Sequence, residues 1–276
     1  MSNKTILVTG SAGMIGCYLV KDLIAKGCTV VGVDRRVSDW THEHLKQVVL
    51  DLADKNALEA LLDAEKVDRC IHLAALAHAG GGETDFSFER FKFLNVTCAE
   101  NVFEACVSHN VSVLFISTVD AIGMVKGLIN SGTELNPISN YGKSKAMAEG
   151  RLKEICPKWN IYRFSPVYTE KRYYLKYPNW AYKIGNGGKF EVLEMSGAVK
   201  AMVDWVDKEV DNTIHIIKNP ELLDINNLIK VEKAEGRAKH VLYFPEWMVI
   251  AGFYCINLMF GKSNTTYLVF KALWPF

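Results

Sequence analysis

The sequence predicts an α/β fold, a doubly wound parallel sheet followed by a small irregular C-terminal lobe, and three observations predict it. Short apolar, β-branched runs alternate with segments of helical spacing from residue 4 to residue 165. Those runs are apolar nearly throughout, as strands covered on both faces are, instead of at every second position. The first run, KTILVTG (4–10), ends in a glycine loop that opens directly into the first helical segment.

Each element follows in order. MIGCYLVKDLIAKG (14–27) carries apolar residues at helical spacing and closes on Gly27, and CTVVGVD (28–34) returns to strand. Together with the first run this is a βαβ unit of about 30 residues. A strand at QVVLD (47–51), a helix over 54–65, a strand at RCIHLAA (69–75) and a long helix over 86–109 continue the alternation. VSVLFIST (111–118) reads as a strand, NYGKSKAMAEG (140–150) opens a helix, and WNIYRFS (159–165) is the last clear strand. After Ser165 the period is lost in YTEKRYYLKYPNWAYKIGNGGK (168–189), rich in aromatic and basic residues. The expected division is therefore a dinucleotide-binding domain over 1–165 and a substrate lobe over 166–276, with WVDKEVDNTIHIIKN (205–219) read as a helix that packs back on the first domain.

Composition narrows the class. A 276-residue chain with 49% hydrophobic residues has enough apolar bulk for a large core. Thirty-two Lys and Arg against 31 Asp and Glu leave a formal charge of +1, so no global field favours a nucleic acid or an anionic membrane. Seven cysteines without a C-x-x-C pair, and an N-terminus that runs straight into a strand, point to reduced thiols and a cytoplasmic protein. HEH (42–44) reads as a surface turn, since histidines two apart share no helix face, and no metal site is expected. EWMVIAGFYCINLMF (246–260) contains 14 uncharged residues in a row, too few for a bilayer span, and reads as a buried helix, with interfacial membrane contact or a homodimer helix as the alternatives.

The loop VTGSAGMIG (8–16) spaces Gly10, Gly13 and Gly16 as a Rossmann dinucleotide fingerprint does. The first glycine serves the tight turn, the second lets backbone approach a pyrophosphate, and the third lets helix and strand pack closely, while Met14 and Ile15 begin a helix whose N-terminus favours phosphate. Asp34 ends the next strand, where a carboxylate accepts from both hydroxyls of an adenosine ribose; this favours NAD, though Arg35 and Arg36 leave NADP open. Asp51 and Leu52, ending the third strand, are placed to flank adenine, or else Asp51 caps a helix starting at Ala53.

Tyr141 and Lys145 stand four apart and share a helix face, a spacing that alone decides nothing. The wider pattern does more. TGSAGMIG (9–16), HLAA (72–75), NVTCAENVFEAC (95–106), FISTVDAIG (115–123), YGKSKAMAE (141–149) and RFSPVY (163–168) together resemble the extended short-chain dehydrogenase/reductases, also called the NAD-dependent epimerase/dehydratase family, in order and spacing. The resemblance implies that Tyr141 exchanges a proton with a substrate hydroxyl, that Lys145 binds the nicotinamide ribose and lowers the tyrosine pKa, and that Thr118 hydrogen-bonds the reacting oxygen. It also implies cofactor contacts from Leu73, Ala74, Ala75 and Asn95, with a helix irregularity as the other role open to Asn95.

The pattern breaks in three places. Val119 and Asp120 stand where the family's dehydratases carry an Asp-Glu pair, which removes a proton donor for the leaving hydroxyl. Ile122 replaces a tyrosine common in the family, taking a polar group from the pocket's edge, and Thr169 replaces a glycine. Lys171, Arg172, Lys176 and Lys183 form the basic cluster best suited to a substrate diphosphate, and AHAGGGE (77–83) reads as a loop over the substrate. What the resemblance implies is an epimerase that transiently oxidises a ring hydroxyl, at C4, of a nucleotide-sugar. A reductase or dehydrogenase of a keto-sugar nucleotide or another secondary alcohol, and a catalytically silent nucleotide sensor, are the alternatives.

Overall fold

The computed structural model describes residues 4–77, 87–123, 129–169, 179–184, 189–234, 236, 238–245, 247–248 and 251. Seven strands form one parallel sheet: β1 (Thr5–Thr9), β2 (Thr29–Asp34), β3 (Leu45–Val49), β4 (Arg69–His72), β5 (Ser112–Thr118), β6 (Trp159–Phe164) and an edge strand (Ile214–Ile217), in the order edge–β6–β5–β4–β1–β2–β3. Each neighbouring pair is parallel. The chain reverses its direction of travel across the sheet at β1, which pairs with β2 on one side and β4 on the other. A crevice opens at such a switch point, beyond the carboxyl ends of the strands.

The helices carry local reasons for their ends. α1 (Met14–Ala25) buries Leu19, Val20, Leu23 and Ile24, and the chain leaves it through Gly27 at φ +94°. α2 (Lys55–Ala64) is capped by Asp54, whose side chain accepts from the Ala57 amide, so the cap is Asp54 and not Asp51. Asp51 instead closes a turn by accepting from the Ala53 amide at 3.0 Å. The long helix expected over 86–109 is three segments, α3 (Phe88–Lys92), a π-helical turn (Phe93–Thr97) and α4 (Cys98–Ser108). α5 (Asn140–Ile155) is capped by Ser139, whose hydroxyl accepts from the Gly142 amide at 2.8 Å.

Leu7, Val31, Val33, Phe103, Phe115, Leu152 and Ile161 lie in one apolar cluster between sheet and helices. Burying such side chains contributes ~1.5–3 kcal/mol each before conformational entropy is set against it.

Two compact units divide the chain, the first comprising residues up to 164 with 196–217, the second 165–195 with 218 onward. The first unit thus recovers a late segment: β7 (Val167–Tyr168), β8 (Asn179–Ile184), β9 (Lys189–Phe190) and β10 (Leu193–Glu194) intervene before α6 (Met195–Trp205) and then β11, the edge strand Ile214–Ile217. The helix expected over 205–219 is therefore corrected. Helix ends at Trp205, and the β-branched run at 214–217 pairs with β6 as a strand. Trp205 anchors this return by donating its indole N–H to Asn160 Oδ1 at 2.9 Å while Arg69 stacks 4.8 Å over its ring. In the second unit β7 pairs with β10, β9 pairs with β12 (Leu223–Asp224), α7 (Ile225–Ala234) follows, and β13 (Ala238–Phe244) pairs in parallel with β8. HEH (42–44) forms an exposed turn before β3. Among the described residues no helix is long and apolar enough to cross a membrane. Most of 246–260 lies outside the described residues.

Candidate active site

The glycine loop follows β1 at the switch point. Gly10 adopts φ +74°, and a Cβ there would lie 2.9 Å from the Ala74 amide nitrogen; a Cβ on Gly16 would lie 2.2 Å from the Gly10 carbonyl oxygen. Backbone packs against backbone at both positions, so neither admits a side chain. Gly13 caps α1, and no acidic residue stands in its first turn, which leaves the positive end of the helix for an anion. Asp34 ends β2 half-buried and accepts from the Ala12 amide through Oδ2 at 3.1 Å, which fixes its carboxylate beside the loop. Arg36 reaches the Ala12 carbonyl at 3.4 Å.

Across the switch point, β4 supplies the other wall. Thr9 and His72 are register partners, and Thr9 Oγ1 lies 2.8 Å from His72 Nδ1 and accepts from the Ala74 amide at 3.3 Å. Leu73, Ala74 and Ala75 thus start from a backbone pinned to β1. His72 stacks on Phe115, is buried, and is held near pKa 3, chiefly by burial and then by the positive charge of Lys145, so it is neutral.

Asn95 sits in the π-helical turn, 1% exposed. Its Oδ1 accepts from the Leu76 amide at 2.7 Å, and its Nδ2 donates to the Leu76 carbonyl and to Ser144 Oγ, each at 2.9 Å. Both amide hydrogens are spent on the protein. From within the π-helical turn, Asn95 ties the loop after β4 to α5.

Thr118 ends β5, and its Oγ1 accepts from the Asp120 amide at 3.2 Å as a 3₁₀ turn (Val119–Ala121) begins. α5 meets that turn closely: a Cβ on Gly142 would lie 2.3 Å from the Asp120 carbonyl oxygen. Tyr141, Gly142 and Lys145 are thereby brought to the carboxyl end of β5. Ile122, expected at the pocket's edge, is fully buried in the core instead.

The tyrosine pKa is also corrected. Burial raises it first, and the carboxylate of Asp120 raises it further. The charge acting on the phenol is therefore negative, the opposite of the effect expected from Lys145. Lys145 itself is 1% exposed, with its ammonium 3.9 Å from the centroid of the Phe115 ring; burial lowers its pKa to about 7 against the upward pull of Glu149.

Three residues escaped the sequence reading. Glu149 is fully buried and paired through both oxygens with Arg163, Nε to Oε1 at 3.0 Å and Nη2 to Oε2 at 2.7 Å, and it accepts from Ser117 Oγ at 2.6 Å. The available signal was Glu149 one helical turn beyond Lys145. Asp51 is exposed, and the Leu52 carbonyl accepts from Asn101 at 2.9 Å. Lys171, Arg172 and Lys176 and the glycines of 80–82 lie outside the described residues, as does the side chain of Lys183 on β8.

The model of the NAD dependent epimerase/dehydratase family matches residues 6–217. The chain belongs to that family. Among curated relatives it is 29% identical over 194 residues to UDP-glucose 4-epimerase of Caenorhabditis elegans, covering 60% of this chain and 55% of the relative. It is 31% identical over 195 residues to UDP-glucose 4-epimerase 2 of Oryza sativa subsp. japonica, covering 62% of this chain and 47% of the relative. The chain thus spans about half the length of these relatives. Among solved structures, that of MoeE5 in complex with UDP-glucuronic acid and NAD superposes with a TM-score of 0.73 at 24% identity, over 87% of this chain and 85% of the other. At that identity the likeness shows the fold alone.

Proposed function

We propose that the protein is an NAD-dependent nucleotide-sugar 4-epimerase, with Thr118, Tyr141 and Lys145 as its catalytic residues. The observation that carries this reading is the convergence of those three, through the Gly142–Asp120 contact, at the carboxyl edge of the same sheet as the glycine loop. The names of the curated relatives, UDP-glucose 4-epimerases, support the substrate class.

The residues present fit the cofactor. Gly10 and Gly16 hold a cradle that a Cβ would fill, the α1 end at Gly13 carries no side-chain cap bond and is open to a pyrophosphate, and Asp34 offers a carboxylate to a ribose. Bound there, NAD supplies a hydride acceptor that can return the hydride to either face of a rotated ketose.

The chain's own groups handle the proton. Thr118 Oγ1 is oriented by the Asp120 amide it accepts from, which leaves its O–H to donate to the reacting oxygen. Tyr141, which burial and the Asp120 carboxylate hold protonated, takes the carbinol proton where a cation offsets them and returns it in the reverse step. Lys145 is the cation this chain provides; with a pKa of about 7 it is charged on the acid side of neutrality. Cofactor released from purified protein and identified by mass, followed by NMR of a nucleotide-sugar panel, tests the reading. NAD and a C4-inverted product are expected; stoichiometric consumption of added cofactor would favour the reductase, and no turnover with any sugar would overturn the proposal.

A further inference from the structure

Buried ion pairs are costly to form, several kcal/mol of desolvation for each ion, and well-packed apolar side chains in their place often hold a fold as well or better. The pair of Glu149 and Arg163 therefore calls for a reason beyond stability. Both side chains are at most 2% exposed. Glu149 stands on α5 at four and eight residues beyond Lys145 and Tyr141, the same helical face. Its carboxylate accepts from Ser117, the residue before Thr118, and from both the Nε and Nη2 of Arg163 on β6. A two-pronged pair fixes rotation as well as distance. Arg163 Nη1 reaches on to the Ser131 carbonyl at 3.4 Å.

We infer that Glu149 is a positioning residue: with Arg163 and Ser117 it fixes α5 against the carboxyl ends of β5 and β6, and it holds a negative charge one helical turn from Lys145. As far as turnover is concerned, the inference rests on the epimerase reading above. Among the described residues, Glu149 is the carboxylate that bears on Lys145. From β5 comes the Phe115 ring, which favours a cation without carrying charge. From β4 comes His72, buried and neutral. The turn after β5 brings Asp120, whose charge bears on Tyr141, and β6 brings Arg163, a cation held in a two-pronged pair with Glu149. Burial works against the ammonium and Glu149 works for it. Without that carboxylate the effect of burial would act on the lysine unopposed by it.

The test is a titration of the Lys145 ammonium by NMR in ¹⁵N-lysine-labelled ligand-free protein, the signal assigned by its loss in Lys145→Arg. The double variant Glu149→Gln/Arg163→Gln removes both charges together and strands neither. The midpoint is expected to fall by ~1 pH unit or more, a tenfold loss of charged lysine on the alkaline side, and the alkaline limb of turnover to move down with it. Ser117→Ala, which keeps both charges, is expected to leave the midpoint in place. Where the glutamine pair does not fold, Glu149→Leu/Arg163→Met trades the ion pair for apolar bulk and carries the same expectation. An unmoved midpoint in a folded charge-free variant would overturn the inference. Absence of turnover in the unmodified protein would instead sink the epimerase reading, and the NMR midpoint would still decide the role of Glu149.

Discussion

Gly142→Ala isolates the contact on which the site's geometry depends. In the interior of an exposed helix the change would stabilise by ~1 kcal/mol, because alanine is the better helix former. Here the new Cβ would lie 2.3 Å from the Asp120 carbonyl oxygen and 2.9 Å from its carbon, about 0.7 Å inside the 3.0 Å that real Cβ contacts respect. The obstacle is backbone on one side and the buried Ser139 hydroxyl, 3.0 Å away, on the other. No flexible side chain can give way, so α5 and the 3₁₀ turn must part by most of that shortfall. Overpacking of this kind costs ~1–3 kcal/mol, which leaves a net loss of ~0–2 kcal/mol and a folded protein. The chemical penalty is larger, because Thr118 is fixed to the turn through the Asp120 amide and Tyr141 is the residue before the glycine. A displacement approaching 1 Å between two groups that share a reacting oxygen costs ~100-fold in turnover. Urea denaturation and steady-state epimerisation, measured together with NAD affinity, are the assay. Retained stability and NAD binding with ~100-fold lower kcat is the expected result. A kcat within about threefold of the unmodified protein would refute the claim that this contact sets the distance.

Tyr141→Phe is expected to keep NAD affinity and lose at least ~100-fold in turnover, checked by single-turnover kinetics beside a binding isotherm. Asp34→Ala removes the ribose acceptor and the repulsion toward a 2′-phosphate, so NAD affinity should fall about tenfold while NADP, with Arg35 and Arg36 adjacent, gains on it; fluorescence titration with both cofactors reads the ratio. His72 binds its proton in the unfolded chain near pH 6.5 and in the folded one only near 3, so the unfolded state holds more protons throughout that window. Stability contributed by this histidine is full above pH 6.5 and is lost as pH falls, by about 1.4 kcal/mol per unit. Urea midpoints at pH 7 and pH 5 should therefore fall more steeply in the unmodified protein than in His72→Phe, and parallel slopes would contradict the assignment.

Much of the fold could be read from residue order. The glycine loop between an apolar strand and an amphipathic helix, repeated alternation and two-sided burial leave little choice but a parallel sheet whose switch point lies at β1. The edge strand Ile214–Ile217 was not legible, because a half-buried four-residue run, two of its neighbours polar, carries too short a period to separate strand from helix. In the site, Thr118, Tyr141 and Lys145 are legible through the family resemblance of the motifs that carry them, yet their electrostatics depend on contacts distant in sequence. Asp120 acts on Tyr141 only because Gly142 lets two backbones meet. Glu149 finds Arg163 fourteen residues on and Ser117 thirty-two residues back, a network that no local pattern announces. The turn that makes Asn95 a strut is a π-helical irregularity, invisible to a 3.6-residue period.

The central claim is that hydride leaves C4 of the sugar and returns to the same carbon. UDP-glucose carrying deuterium at C4, incubated with the purified protein and followed by NMR, tests this most directly. The account predicts that the inverted product keeps its deuterium at C4, with no net absorbance change at the nicotinamide band. Deuterium washed into solvent, or accumulated in reduced cofactor, would contradict it.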